Sequence, residues 1–243
     1  MKYTFLLLIS FIQFYRSYSQ FNDSVHHQVI YASTGVINRT NETSSYVLNN
    51  VLKFNIRRKI ISLNFSNSWI YGEQQNKLTN NDFTSTLDFS IYKNVHRFYY
   101  WGLGNFDKNY SLKINKRLQL GLGGAYNVVD SKNAWINVSN GILYETSDLY
   151  QDANKRDIYQ TLRNSFLVRF RWVVKEIIVL DGANYLQNSL SNNQDYILKL
   201  NNSLSVKLRK WLSLTTAIGY NKSQRTNREN LLFTYGLNVE KYF

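Results

Sequence analysis

From about residue 28 to the end of the chain, apolar side chains fall on every second position, in blocks separated by stretches rich in Asn, Ser, Thr and charge. A repeat of two puts alternate side chains on opposite faces, which is the pattern of β-strands with one apolar and one polar face. The alternation predicts strands over 28–38, 45–56, 60–72, 82–93, 96–104, 112–128, 133–145, 158–172, 176–187, 194–208, 211–222 and 230–243, about twelve in all. Their connectors are of two kinds. Tight ones at 57–59, 93–95, 129–132, 173–175 and 209–210 alternate with longer polar ones at 38–44, 73–81, 105–111, 146–157, 188–193 and 223–229. Short turns at one end and long loops at the other predict an all-β, antiparallel up-and-down transmembrane barrel with both termini in the periplasm. A soluble sandwich has no reason to alternate in this way.

The same parity decides how Asn115-Lys116-Arg117 is read. A turn there would break the alternation of connectors, so the segment stays one strand with Leu112, Ile114, Leu118, Leu120, Leu122, Tyr126 and Val128 on the lipid face and Lys116 as the exception. Lys113, Asn115, Arg117, Gln119, Gly121, Gly123, Ala125 and Asn127 then face inward. Gly121-Leu122-Gly123-Gly124 lacks the Lys-Ser/Thr and the helix of a phosphate loop, and is read as relief of crowding where a strand bends inside a barrel. Asn50, Asn67, Asn140, Asn164 and Asn202 each interrupt an apolar face, a pattern that bulges, subunit contacts or a different facing of those strands would all produce.

Composition narrows the classes. With no Cys and no Pro in 243 residues, disulfides, CxxC redox chemistry and thiolate metal sites are excluded. A mean hydropathy of −0.38 argues against a helical membrane protein but suits strands whose two faces cancel. The net charge of +13 comes without a helix-turn-helix, zinc spacing or clustered basic helix, so no nucleic-acid partner is expected. Lys2, the apolar run 3–15, Arg16 and the small-x-small site Ser17-Tyr18-Ser19 outline a secretory signal over residues 1–19, with 20–243 as the barrel domain. The last segment, Leu231 to Phe243, puts Leu231, Phe233, Tyr235, Leu237 and Val239 on one face and returns to it with Phe243. It resembles the closing strand of Gram-negative outer-membrane barrels, which implies that Tyr235, Leu237, Val239 and Phe243 carry the signal read by the barrel assembly machinery. Lys241 departs from that pattern, at a position where a long side chain snorkels to the headgroups.

Candidate chemistry concentrates in the lumen. By parity Lys53, Lys113, Arg117, Arg163, Arg169, Arg171, Lys199 and Lys207 point inward, against Asp88, Glu145, Asp181 and Glu240. If water fills the barrel, unpaired basic groups favour small anions. If Arg and carboxylates pair across strands, they fill the interior, and a barrel of about twelve strands falls between the filled and open sizes. His26, His27 and His96 all fall on the periplasmic side, so no His-dependent nucleophile at the outer rim, no enzyme, no cofactor and no metal site are expected. Asp148, Asp152 and Asp157, with Lys155 and Arg156, lie on the longest predicted loop, suited to lipopolysaccharide phosphates or simply to solvent.

From Arg97 to Glu145 the chain runs RFYYWGLGNFDKNYSLKINKRLQLGLGGAYNVVDSKNAWINVSNGILYE. An aromatic-Gly strand, a short acidic-basic loop, Arg117 ahead of Gly121, Gly123 and Gly124, then Asp130 and a strand with Gly141 and Tyr144 resemble the salt-induced outer-membrane protein family, domain of unknown function 481. The resemblance implies an outer-membrane barrel without an established activity and carries over no catalytic residues. Expected roles are thus a narrow anion-tolerant pore or envelope component, an adhesion or partner-binding barrel acting through outer loops, or, third, an outer-membrane enzyme.

Overall fold

In the computed structural model, which describes residues 26–39, 44–58, 60–92, 97–152 and 155–242, the chain closes into a barrel of twelve antiparallel strands. In chain order these are β1 (His27–Arg39), β2 (Ser44–Arg57), β3 (Ile61–Gln74), β4 (Lys77–Tyr92), β5 (Phe98–Asn109), β6 (Ile114–Asp130), β7 (Ala134–Asp152), β8 (Lys155–Val174), β9 (Ile178–Ser189), β10 (Tyr196–Lys207), β11 (Leu212–Ser223) and β12 (Arg228–Tyr242). Each strand pairs with its sequence neighbours, and β1 closes on β12 with Tyr31 opposite Val239. Closure leaves no unpaired sheet edge, which the hydrocarbon requires of any spanning sheet. The even strand number puts both chain ends at one end of the barrel, the periplasmic end in this class of fold. The signal segment, His96 and Phe243 lie outside the described residues.

The outward face is apolar because the alternation makes it so. Leu52, Phe54, Phe65, Leu87, Phe89, Leu120, Leu122, Leu162, Phe166, Leu204, Leu214, Ile218, Phe233 and Leu237 all stand exposed on it. Phe98, Tyr100, Trp172 and Trp211 lie towards the periplasmic ends of the strands, and Tyr46, Tyr71, Tyr144 and Tyr196 towards the outer ends. The Tyr and Trp among them are the amphipathic rings that bilayer interfaces favour. Tyr235, Leu237 and Val239 are on this face of β12.

Two expectations are corrected. The long outer loops are mostly strand: β3 and β4 are joined only by Gln75 and Asn76, with φ of 50° and 58°, and β5 runs on to Asn109. Above the hydrocarbon both faces of a strand meet water, so the apolar alternation fades while the backbone ladder continues. The β7–β8 pair shows this most, since strands of 19 and 20 residues exceed the roughly 9 to 11 needed to cross. Second, a register shift between Ile114 and Lys116 turns the outer end of β6 over. Leu112 and Ile114, expected to face lipid, are buried with Leu149 and Tyr159 beneath the outer mouth. Lys113, expected in the lumen, sits in the turn with φ of 57° and donates from Nζ to the Gln151 carbonyl at 3.1 Å.

Candidate functional site in the barrel lumen

A buried ion-pair network occupies the outer part of the lumen, and its centre is Glu145 of β7. That carboxylate is fully buried and accepts from Arg163 Nε at 2.8 Å and Nη2 at 3.0 Å, from Tyr159 Oη at 2.6 Å and from Gln119 Nε2 at 2.6 Å. Arg117 Nε lies 3.5 Å away and donates to Ser147 Oγ. Arg163 also donates to both carboxylate oxygens of Asp195, at 3.0 and 2.9 Å. Arg225, in the β11–β12 turn, pairs with Asp157 at 2.6 Å and Asp195 at 3.3 Å and stacks 3.5 Å over the Tyr159 ring. The hydrogen bond to Asp157 holds the Arg225 guanidinium protonated and raises its pKa. Buried charges persist only when paired and hydrogen-bonded, and three guanidiniums against three carboxylates meet that condition here.

Two contacts cross from wall to wall. Lys199 Nζ of β10 reaches Asp107 Oδ2 of β5 at 3.0 Å, a bar between strands that lie nearly opposite one another. Ser111, in the β5–β6 turn, donates to Asp82 at 2.8 Å and accepts from Asn230 of β12 at 2.8 Å, which draws that turn over the mouth.

Below this cap the interior opens. A cavity of about 380 Å³ at the periplasmic end is lined by Arg57, Tyr92, Tyr99, Asn127, Trp135 and Arg171, among others. A smaller one of about 30 Å³, room for water, lies among Asp88, Trp101, Arg169 and Tyr185. The walls are not equivalent. Ser139, Ser165, Leu167 and Gln187 on the β7–β9 side are buried. By contrast Lys53 of β2 and Asn201 of β10, both inward by register, are exposed, and Ser66, Ser68 and Ala217 beside them are partly so.

Of the basic residues expected inside, Arg117, Arg163 and Lys199 join the network or the bar, and Arg171 pairs with Asp181 at 3.3 Å near the periplasmic opening. Arg169 is packed beside Tyr185 in the smaller cavity, while Lys53 and Lys207 face the lumen without an ion pair among the described residues. Asp88 accepts from Asn64 at 2.8 Å, and Glu240 accepts from Gln28 at 3.4 Å. Asp82, Asp107, Asp195 and Arg225 were absent from the sequence-derived set, and Asp157 was placed on a solvated loop. The signal for Asp107 was present, since Phe106 between Asn105 and Asp107 continues the alternation. Asp148, from that same predicted loop, is buried beside Arg156 and Asn115 and stands on the outer face of β7. Among the described residues no cluster of His, Cys, Asp and Glu could hold a metal ion.

A closed antiparallel barrel of this form, with an apolar outer belt and a charged lumen, defines the fold of an up-and-down outer-membrane β-barrel. It is similar to the NanC porin, with a TM-score of 0.54 and 8% identity over 88% of this chain and 99% of that one. It is also similar to the COG4313 outer membrane channel from Pseudomonas putida F1, with a TM-score of 0.51 and 11% identity over 90% of this chain and 95% of that one. No curated protein matches the chain. Residues 32–239 match the family described as "Protein of unknown function, DUF481", and the chain belongs to that family.

Proposed function

We propose that the protein is a non-enzymatic outer-membrane barrel with a narrow, anion-tolerant conduit that opens to the periplasm and is restricted at its outer mouth. The observation that carries this reading is the solvent exposure of Lys53 and Asn201, two inward-facing residues near mid-strand, in a lumen whose β7–β9 side is buried. Lys53 is a full positive charge that lumen water reaches, which favours anions over cations. The Lys199–Asp107 bar and the Ser111 turn set the restriction. In this reading the partners are lipid and lipopolysaccharide around the belt, small anions in the lumen, and an assembly machinery that would read Tyr235, Leu237 and Val239. No nucleic acid or cofactor enters it. His26 and His27 stand at the periplasmic end, far along the barrel from the outer network, so no catalytic role is assigned to them.

The test is planar-bilayer recording of the refolded mature chain in a salt gradient. The wild type should give small anion-preferring steps, Lys199→Ala should enlarge them severalfold, and Lys53→Glu should move the reversal potential towards cation selectivity. A second reading, binding through the β7–β8 hairpin, is favoured by its projection beyond its neighbours and by Ile158, which is 72% exposed. Silence from both the wild type and Lys199→Ala would overturn the conduit and leave that hairpin as the functional surface.

A further inference from the structure

Five asparagines on the lipid face form two polar patches at mid-depth, and a further pair, Asn164 and Asn188, extends the larger patch outward. Counted from the periplasmic ends of their strands, Asn50, Asn67, Asn140, Asn184 and Asn202 stand about six residues up, near the middle of the roughly 9 to 11 that cross the hydrocarbon, while Asn164 and its cross-strand partner Asn188 stand about ten up, at the outer end of the crossing. Their facing is fixed by register, since Asn50 shares its face with the exposed Leu48, Leu52 and Phe54, and Asn164 shares its face with Leu162 and Phe166. Asn50 and Asn67 lie on β2 and β3, and the others lie on β7 to β10. In a twelve-strand barrel these are opposite walls. The walls between them are apolar at this depth, with Leu120 and Leu122 on β6 and Phe233 and Tyr235 on β12.

An amide facing hydrocarbon has no water to bond, so each group without a partner is costly there. Some of the cost is met locally. Asn184 and Asn202 bond reciprocally across β9 and β10, at 3.3 and 3.1 Å, and Asn50 Oδ1 accepts from Tyr31 Oη at 3.1 Å and Ser33 Oγ at 3.0 Å. Asn67 and Asn164 make no side-chain hydrogen bond among the described residues. Gly182 adds shape to the second patch, because a Cβ there would meet Asn202 Oδ1 at 2.5 Å and Phe170 at 2.3 Å. Its lack of a side chain lets the amide and the ring lie against the wall.

We propose that these patches are intramembrane contacts between copies of this chain, in which the lipid-facing asparagines of one barrel hydrogen-bond those of the next. A carboxamide donates and accepts equally, so a patch of asparagines is complementary to a second such patch at the same depth. One chain carries both, on opposite walls. Buried amides in membrane interiors act as association points for the same reason, that the alternative is an unsatisfied group in lipid. The contact adds an oligomeric state to the proposed conduit without depending on it, since it lies on the other face of the sheet.

The absence of native cysteine makes the test direct. The full mature chain, refolded into phosphatidylcholine vesicles as Asn164→Cys, as Asn67→Cys or as a mixture of the two, is treated with a short bifunctional maleimide. Leu122→Cys and Phe233→Cys, on the apolar walls, serve as controls. The asparagine positions should give a cross-linked dimer several times more efficiently than the controls, alone if like patches meet and in the mixture if opposite walls meet. An Asn140→Leu/Asn164→Leu/Asn202→Leu chain should still show the heat-dependent gel shift of a folded barrel yet lose cross-linking at an added Asn188→Cys. Cross-linking no greater than at Leu122→Cys, or unchanged in the leucine variant, would overturn the proposal. So would cross-links in native membranes that join these positions only to a different polypeptide.

Discussion

Replacing Glu145 with alanine is expected to lower the barrel's stability by about 3 to 5 kcal/mol, because it strips the shared counter-charge from buried cations. Glu145 is bonded to Arg163, Tyr159, Gln119 and Ser147 and has Arg117 within 3.5 Å. Arg163 would retain Asp195, but Arg117, only 1% exposed, would keep no ion pair among the described residues, and its Nη2 already lacks a hydrogen-bond partner there. Arg171→Ala is the comparison. Its ion pair with Asp181 leaves the two side chains 45% and 42% exposed, and such pairs contribute about 0 to 1 kcal/mol. Urea unfolding in vesicles, followed by tryptophan fluorescence, reads both. Equal midpoints for the two variants would mean that water reaches the Glu145 network and that the outer lumen is not filled.

The second large effect is expected at Gly123 and Gly141, which face one another on β6 and β7 beneath Trp101. A Cβ at Gly123 would lie 2.3 Å from the Asn140 carbonyl oxygen and 2.6 Å from the Trp101 ring, and one at Gly141 would lie 2.4 Å from the Leu122 carbonyl oxygen. The obstacle is backbone as well as ring, so displacing Trp101 does not relieve it and the two strands must part. Gly123→Ala is therefore expected to destabilise by about 1 to 3 kcal/mol and to reduce the yield of heat-modifiable barrel. Gly104→Ala, whose nearest atom would be a Leu120 methyl at 3.6 Å, should be close to neutral. A neutral Gly123→Ala would show that β6 and β7 do not approach so closely under Trp101.

Strand number, facing and the unbroken β6 were all legible in the period-two pattern, because a barrel with lipid on one side and polar groups on the other prints that contrast into every crossing strand. The outer ends were not. Asn105, Asp107 and Asn109, like Asp157, fall in stretches where polar residues outnumber apolar ones, so polarity there read as loop although Phe106 still marks the alternation. Hence the acids that balance Arg163, Arg225 and Lys199 were missed, and the lumen looked more basic than it is. Lys113 was misplaced for a different reason: one extra residue at the Ile114–Lys116 shift inverts every side chain beyond it, and sequence carries no mark of that shift. Asn50, Asn67, Asn140, Asn164 and Asn202 were visible from the start as interruptions; the register adds Asn184 and makes them patches.

The central claim is a lumen filled along its β7–β9 side and wet at Lys53 and Asn201, and thiol accessibility tests it most directly. In a chain without native cysteine, Asn201→Cys and Ser165→Cys place single thiols on the inward faces of β10 and β8. With a membrane-impermeant maleimide applied to folded barrels in vesicles, Asn201→Cys should be modified rapidly and Ser165→Cys should stay protected until the barrel is unfolded. Equal protection would mean a filled interior and no conduit. Equal modification would mean an open pore in which the buried network does not hold.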